Sequence, residues 1–356
     1  MPAINLMVWR GDQAIFSNRN SNDFNVMKRR LQILLGVLFS LGAIIFLFRG
    51  IEIGVLAVEM SKFNYWSIIP FAILETLSLW ARGMRWRVLL EEKVSGPRLF
   101  WITNISYYLS NILPLRIGEL GRVYLVTRNS DVTGMQALST AVLERMFDVV
   151  TVFIMLFLVL PFVPDHGLVT SVSYVIVGGV IVVIIGLFAV ARNRKSVAKI
   201  VGLITRRLGT KFGAWINEGF EKFFESIDLV RGRRVLLASV WCIVVWVFSV
   251  LATYYLLLNF SPGQQLYEGV FVTALLALGI ALPSVPASVG IWEASAVAAL
   301  AVLGVNRETA LAFAIVLHLI VFIKMAILGV VGLYLEGENL NDLVLQAKRL
   351  IKSMRS

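Results

Sequence analysis

Leu113-Pro114-Leu115-Arg116-Ile117-Gly118 and Leu282-Pro283-Ser284-Val285-Pro286-Ala287-Ser288-Val289-Gly290 are the stretches on which the fold of this chain turns. Each interrupts an apolar run, 99–115 in the first case and 268–304 in the second, with prolines that remove backbone donors and glycines that permit sharp turns. Neither run reads as a simple spanning helix. Both read as broken helices that dip into a bilayer and return, with Pro114, Gly118, Pro283, Pro286 and Gly290 at the breaks.

Around them lie six uninterrupted apolar runs near the roughly 20 residues a helix needs to cross the hydrocarbon core. They fall at about 31–48, 66–90, 137–163, 170–190, 235–259 and 309–334. The composition agrees: 58% of the 356 residues are hydrophobic and 15% charged, with a mean hydropathy of +0.81, far from the balance of a soluble globular domain. The formal charge is +11, but the basic residues fall between apolar runs and not on one polar domain. They read as topology signals and lipid-phosphate contacts, and nucleic acid is not an expected partner. Cys242 is the only cysteine, and His166 and His318 are the only histidines. A disulfide framework, a thiolate metal site and a histidine-rich metal centre are thereby excluded. No cofactor is expected.

Charge placement orients the spans. The tail at 1–30 carries Arg10, Arg19, Lys28, Arg29 and Arg30 against Asp12 and Asp23, which puts it in the cytoplasm by the positive-inside rule. The 192–234 connection holds eleven basic residues, whereas 164–169 and 260–267 hold no Lys or Arg. These alternate correctly only if each broken segment returns to the side from which it came, the first from the cytoplasm and the second from outside. The expected fold is an all-α polytopic membrane protein, with about six transmembrane helices plus two re-entrant broken helices in an inverted repeat. Its transmembrane region covers 31–334, with halves at about 66–190 and 235–334 linked by an amphipathic stretch at 211–230. A basic helix at 335–356 follows, and both termini are cytoplasmic in a multi-pass protein of the cell membrane.

Charges inside apolar runs are the candidates for function, because each costs roughly 2.5–3.5 kcal/mol at bilayer depth even on a lenient insertion scale. Arg116, Glu119 and Arg122 follow the first break. Glu144, Arg145 and Asp148 interrupt the 137–163 run, where Arg145 can meet Asp148 at i,i+3 and leave Glu144 for another helix. Arg82, Arg85 and Arg87 lie toward the end of the second span; snorkelling accounts for such arginines, although Arg82 is deep enough to face a headgroup cavity. Glu293 follows the second break, placed to hold an unwound backbone or meet a cationic group. His318 and Lys324, six residues apart on the last span, do not share a face. The reading that joins these residues has Arg116, Arg122, Glu144, Arg145, Asp148 and Glu293 converging on one interior region that binds a phosphate-containing lipid headgroup, since guanidinium groups grip phosphate bidentately. Separate structural ion pairs are the competing reading, and both stay open at this point.

With these residues in place, the chain resembles the transmembrane region of the lysylphosphatidylglycerol synthases, a flippase-like family. The likeness is carried by Leu113-Pro114-Leu115-Arg116-Ile117-Gly118-Glu119-Leu120-Gly121-Arg122, then Leu143-Glu144-Arg145-Met146-Phe147-Asp148, then Leu282-Pro283 through Val289-Gly290-Ile291-Trp292-Glu293, with Arg85-Trp86 as a lesser sign. The resemblance implies a lipid translocase that passes a polar headgroup through a charged interior while the acyl chains stay in lipid. In the fused synthases a soluble aminoacyl-transferase domain follows the membrane region. This chain ends at Ser356 and carries no ATP-binding motif, so the resemblance implies translocation without synthesis, and no enzymatic activity. The alternative is a membrane-embedded enzyme or accessory subunit for lipid headgroup or lipid-linked glycan transfer, with Glu144 and Asp148 as its acid and base. Membrane lipids are the expected partners, and a lipid-synthesis enzyme is a candidate one. Two departures stand out: Pro286-Ala287-Ser288 occupies the place where the family often has Pro-Gly-Gly, and His318 a place where relatives often carry Arg.

Overall fold

A computed structural model describes residues 51–113, 118–164, 178–179, 232–281, 286–340 and 343. The run at 31–48, nearly all of 170–190, the amphipathic 211–230 stretch, most of the C-terminal helix, and Pro114, Arg116 and Pro283 lie outside the described residues. Within them the protein is all-helical: α1 Ile53–Ser61, α2 Ile68–Leu89, α3 Gly96–Ile112, α4 Gly118–Thr127, α5 Gly134–Val159, α6 Arg233–Phe260, α7 Leu266–Ala281, α8 Ile291–Val302 and α9 Arg307–Glu336. Local chemistry sets several ends. Thr133 caps α5 by accepting from the Gln136 N–H, Asn306 caps α9 by accepting from the Thr309 N–H, and Gly337 closes α9 in the left-handed conformation.

Among the described residues, three helices are long and apolar enough to cross a membrane: Gly134–Phe162, which adds a 3-10 turn to α5, Arg233–Phe260 and Arg307–Glu336. Helix α2 has 22 residues but carries Glu75, Arg82, Arg85 and Arg87. Exposed apolar stripes run along the outside of these helices. On α6, Leu236, Val240, Ile243, Val247 and Leu251 recur at three- and four-residue spacing, and Leu319, Ile323, Ile327 and Val330 do the same on α9. Such continuous apolar faces would be a liability in water and are what a helix presents to lipid. The chain is a membrane protein.

Both interrupted runs form helical hairpins. Near the start of α3, Arg98 donates to the carbonyls of Leu125 (3.1 Å), Arg128 (2.7 Å) and Asn129 (3.2 Å) at the end of α4, so the chain comes back to the level at which it set out. At the other end of that hairpin Gly118 lies so close to Ser106 and Ser110 of α3 that a Cβ would collide with both. Helices α7 and α8 repeat the device, with Gly279 of α7 pressed against Ser295 of α8. Close approach through small residues is how helices associate in lipid, where apolar side chains gain little by leaving their surroundings.

The packing pattern has a symmetry of its own. Helix α2 lies along α6, joined by Ser67 to Asn259, Ser78 to Ser249, Arg85 to Cys242 and Arg234 to Glu91. One sequence number rises as the other falls, so the two helices are antiparallel. The neighbours α2–α3, α3–α4, α4–α5 and α3–α9 have counterparts in α6–α7, α7–α8, α8–α9 and α7–α5. Exchanging α2–α5 for α6–α9 leaves this set unchanged. The turn Pro286–Ser288 at the second break packs against α3, which brings the two hairpins together.

Candidate functional site

The first cluster of charge joins α2, α4 and α5. Arg85, 1% exposed, grips Asp148 with both ends of its guanidinium, Nη1 to Oδ1 at 2.7 Å and Nη2 to Oδ2 at 3.3 Å, while Nη1 also donates to Cys242 Sγ at 3.2 Å. Its Nε lies 3.5 Å from Glu144 Oε1. The other oxygen of Glu144 accepts from Arg122, whose guanidinium lies 3.7 Å from the centroid of the Trp86 ring. Trp86 is held in turn by a 3.0 Å hydrogen bond from its Nε1 to Thr140. Asp148 Oδ2 also receives Arg82 Nη1 at 3.3 Å and Arg145 Nη1 at 3.5 Å, and Arg145 reaches across to Glu119. Arg82, Arg85, Arg122 and Arg145 thus face Glu119, Glu144 and Asp148, four guanidinium groups against three carboxylates among the described residues. Arg85 and Arg122 are buried and committed to carboxylates. Their ion pairs tie α2 and α4 to α5. Among the described residues, Arg82 makes a single, longer bond, to Asp148.

Arg82 is also where the cluster meets a cavity of about 220 Å³, lined by residues of α2, α3, α6, α7, α8, α9 and the second break. Its guanidinium sits near the aromatic faces of Trp246 (5.6 Å) and Tyr107 (6.0 Å). Across the cavity His318 stacks on Trp292, rings 4.9 Å apart and 13° from parallel, and its Nδ1 shares a 2.6 Å hydrogen bond with Glu293 Oε1. The second oxygen of Glu293 accepts from the Gly290 N–H at 2.7 Å, the reach-back of a capping box at the start of α8. Glu75, on the cavity wall, accepts from Lys324 at 2.9 Å. Among the described residues, no group of His, Cys, Asp and Glu side chains is placed to hold a metal.

The described candidates for a headgroup site thus fall into two sets. Arg82, Arg85, Glu119, Arg122, Glu144, Arg145 and Asp148 share one network, whereas Glu293 stands on α8 and pairs with His318. Arg116 lies outside the described residues. Gly118 opens α4, Gly290 caps α8 and Pro286 begins the turn between α7 and α8. Sequence reasoning missed Glu75, Tyr107, Asn111 and Trp246 on the cavity wall, and singled out Trp292 only as part of a family motif. Glu75 had a signal, a lone charge in an apolar run; the aromatic residues had none that separates them from core packing.

Residues 33–329, which contain both hairpins, the charge cluster and the cavity, match the family described as the lysylphosphatidylglycerol synthase TM region. Among curated proteins, the chain is 23% identical over 233 residues to the UPF0104 membrane protein MJ1078 of Methanocaldococcus jannaschii, covering 65% of this chain and 96% of that one. It is 24% identical over 281 residues to the glycosyltransferase AglD of Haloferax volcanii, covering 69% of this chain but only 45% of AglD. With the match extending over most of its length, this chain belongs to the lysylphosphatidylglycerol synthase transmembrane-region family.

Proposed function

We propose that the protein is a lipid translocase that moves a phosphate-containing lipid or glycolipid headgroup through the cavity between two inverted halves while the acyl chains stay in lipid. The observation that carries this reading is the cavity itself, walled by both sets of helices and edged by Arg82. Antiparallel α2 and α6, and a neighbour pattern indifferent to exchange of the sets, support an inverted repeat with about six spans and two re-entrant hairpins. Inverted repeats place their substrate sites near the midplane, where broken helices meet. Interrupted backbone at that depth is tolerated only against protein or a wet cavity. At about 220 Å³ the space is smaller than the roughly 300–1,000 Å³ pockets that enclose drug-sized ligands, and suits a headgroup rather than a whole lipid.

The similarity to AglD keeps an enzymatic reading in view, with Glu144 and Asp148 as the acid and base. Both carboxylates are taken up in ion pairs with arginines, which leaves neither facing a substrate alone and favours transport. Purified protein in proteoliposomes, given a panel of tail-labelled lipids, separates the readings. Leaflet exchange without chemical conversion sustains the translocase, conversion would replace it by the enzyme, and neither would end both.

A further inference from the structure

The cavity also bears on which headgroup passes, an inference that rests on the translocase reading. Its acids are already occupied: Glu75 accepts from Lys324, and Glu293, behind Trp292 and His318, accepts from His318 and from the Gly290 N–H. Among the described residues, an amine-bearing headgroup would find no cavity carboxylate without a partner of its own. The donors are in the opposite position. Arg82 shares Asp148 with Arg85 and Arg145, three guanidinium groups on one carboxylate. Trp246 and Trp292 both line the cavity wall, and among the described residues their buried indole N–H groups have no acceptor. Buried donors are ordinarily satisfied, and a ligand rich in acceptor oxygens would satisfy these two.

We propose that the cavity selects a headgroup bearing an anionic phosphoryl group and further acceptor oxygens, with Arg82 on the phosphate and the Trp246 and Trp292 indoles on its oxygens, and discriminates against cationic, amine-bearing headgroups. Charge separates the two classes more sharply than size. A cation beside Arg82 is repelled in a low-dielectric space, and a phosphoryl group there gains a charge-assisted, forked hydrogen bond.

The test uses the full-length protein in vesicles carrying one tail-labelled lipid at a time: anionic phosphatidylglycerol, zwitterionic phosphatidylethanolamine or cationic lysyl-phosphatidylglycerol. A parallel arm follows uptake of soluble glycerol phosphate, which separates a headgroup site from one for free phosphate. The expected result is exchange of phosphatidylglycerol about tenfold or more faster than the cationic lipid, the scale of one charge-assisted hydrogen bond. Arg82→Gln removes that preference, Arg82→Lys keeps part of it by retaining the charge without the fork, and Trp246→Phe slows the anionic lipid alone. Equal or faster exchange of the cationic lipid overturns the selectivity while leaving translocation standing. So does a monodisperse Arg82→Gln protein that keeps the preference. If Arg82→Gln does not fold, the wild-type lipid panel and Trp246→Phe decide by the same criteria. Exchange of none of the three lipids overturns the translocase reading itself, and uptake of glycerol phosphate in that case assigns the anion site to a soluble ligand.

Discussion

Asp148 is the residue on which the charge cluster depends most, since it receives the fork of Arg85 together with Arg82 and Arg145. Replacing it by Asn leaves buried guanidinium charge without its counter-ion, a loss on the order of 3–5 kcal/mol. Asp148→Asn should therefore lower the thermal unfolding midpoint of the purified protein sharply, whereas Arg145→Gln, whose side chain is 46% exposed, should cost under about 1 kcal/mol. A smaller loss for Asp148→Asn than for Arg145→Gln would mean the cluster is not organised around this carboxylate. Glu91 offers a test in pH. It lies in the turn after α2 and takes Lys93 at 3.0 Å and Arg234 of α6 at 2.9 Å. The hydrogen bond from Lys93, aided by Arg234 against the cost of burial, holds its carboxyl below the ordinary value of 4.5. A depressed carboxylate stabilises the fold fully above its unfolded value and ceases to do so as pH falls through the folded one. Stability should thus drop on acidification from about pH 5 to about pH 3, and Glu91→Gln should flatten that part of the profile; an unchanged slope in the variant counts against the tie. The charges of the cluster were legible in the sequence because each is an anomaly in an apolar run. Their partners were not, apart from Arg145 with Asp148 at i,i+3, because Arg85, Arg122 and Asp148 meet only after three helices have packed.

Helix breaks carry the next scale. The prolines and glycines marked both interruptions, and the described residues bear out α3 ending at Ile112 with α4 starting at Gly118, and α7 ending at Ala281 with α8 starting at Ile291. The sequence did not reveal that Ala287 and Ser288, where the family often has glycines, adopt φ of 59° and 57°. That left-handed conformation costs an L-residue about 1–2 kcal/mol. Glycine there relieves the strain but returns about 0.4–1 kcal/mol through a more flexible unfolded chain. Ala287→Gly should accordingly raise stability by about 0.5–1 kcal/mol, read as a higher unfolding midpoint; a lower midpoint would show that the turn is not strained. Gly118→Ala should go the other way by about 1–3 kcal/mol, since its methyl group has nowhere to go against Ser106 and Ser110. Helix α1 was not anticipated. Its N-cap, Glu52, makes no side-chain capping bond, and its nine residues are too few to show as a span.

At the scale of the whole molecule, contacts gather the chain's turns at two ends. One holds the junctions after α2, α4 and α9 and before α3, α5 and α6, tied by Arg234 to Glu91, Arg98 to Glu336 and Arg128 to Glu338. The other gathers α1, the end of α6 and the start of α9 through Phe63 on Phe260, Phe260 on Phe313 and Thr309 to Glu59. The first end carries Arg87, Lys93, Arg98, Arg128, Arg233 and Arg234; the second carries Lys62 and Arg307. Lys and Arg near span ends set orientation and acids count for little, so the first end should face the cytoplasm. Single cysteines placed at exposed turn positions test this directly, and the native Cys242, 2% exposed, is too buried to interfere. Pro262→Cys, between α6 and α7, should react with a membrane-impermeant maleimide on intact cells. Asp131→Cys, between α4 and α5, should react only after the cells are opened. The reverse pattern would invert the orientation and with it the direction from which each hairpin enters. Labelling of both positions from one side would mean that the two ends do not lie on opposite faces of the membrane, and the inverted halves, with the cavity shared between them, would have to be abandoned.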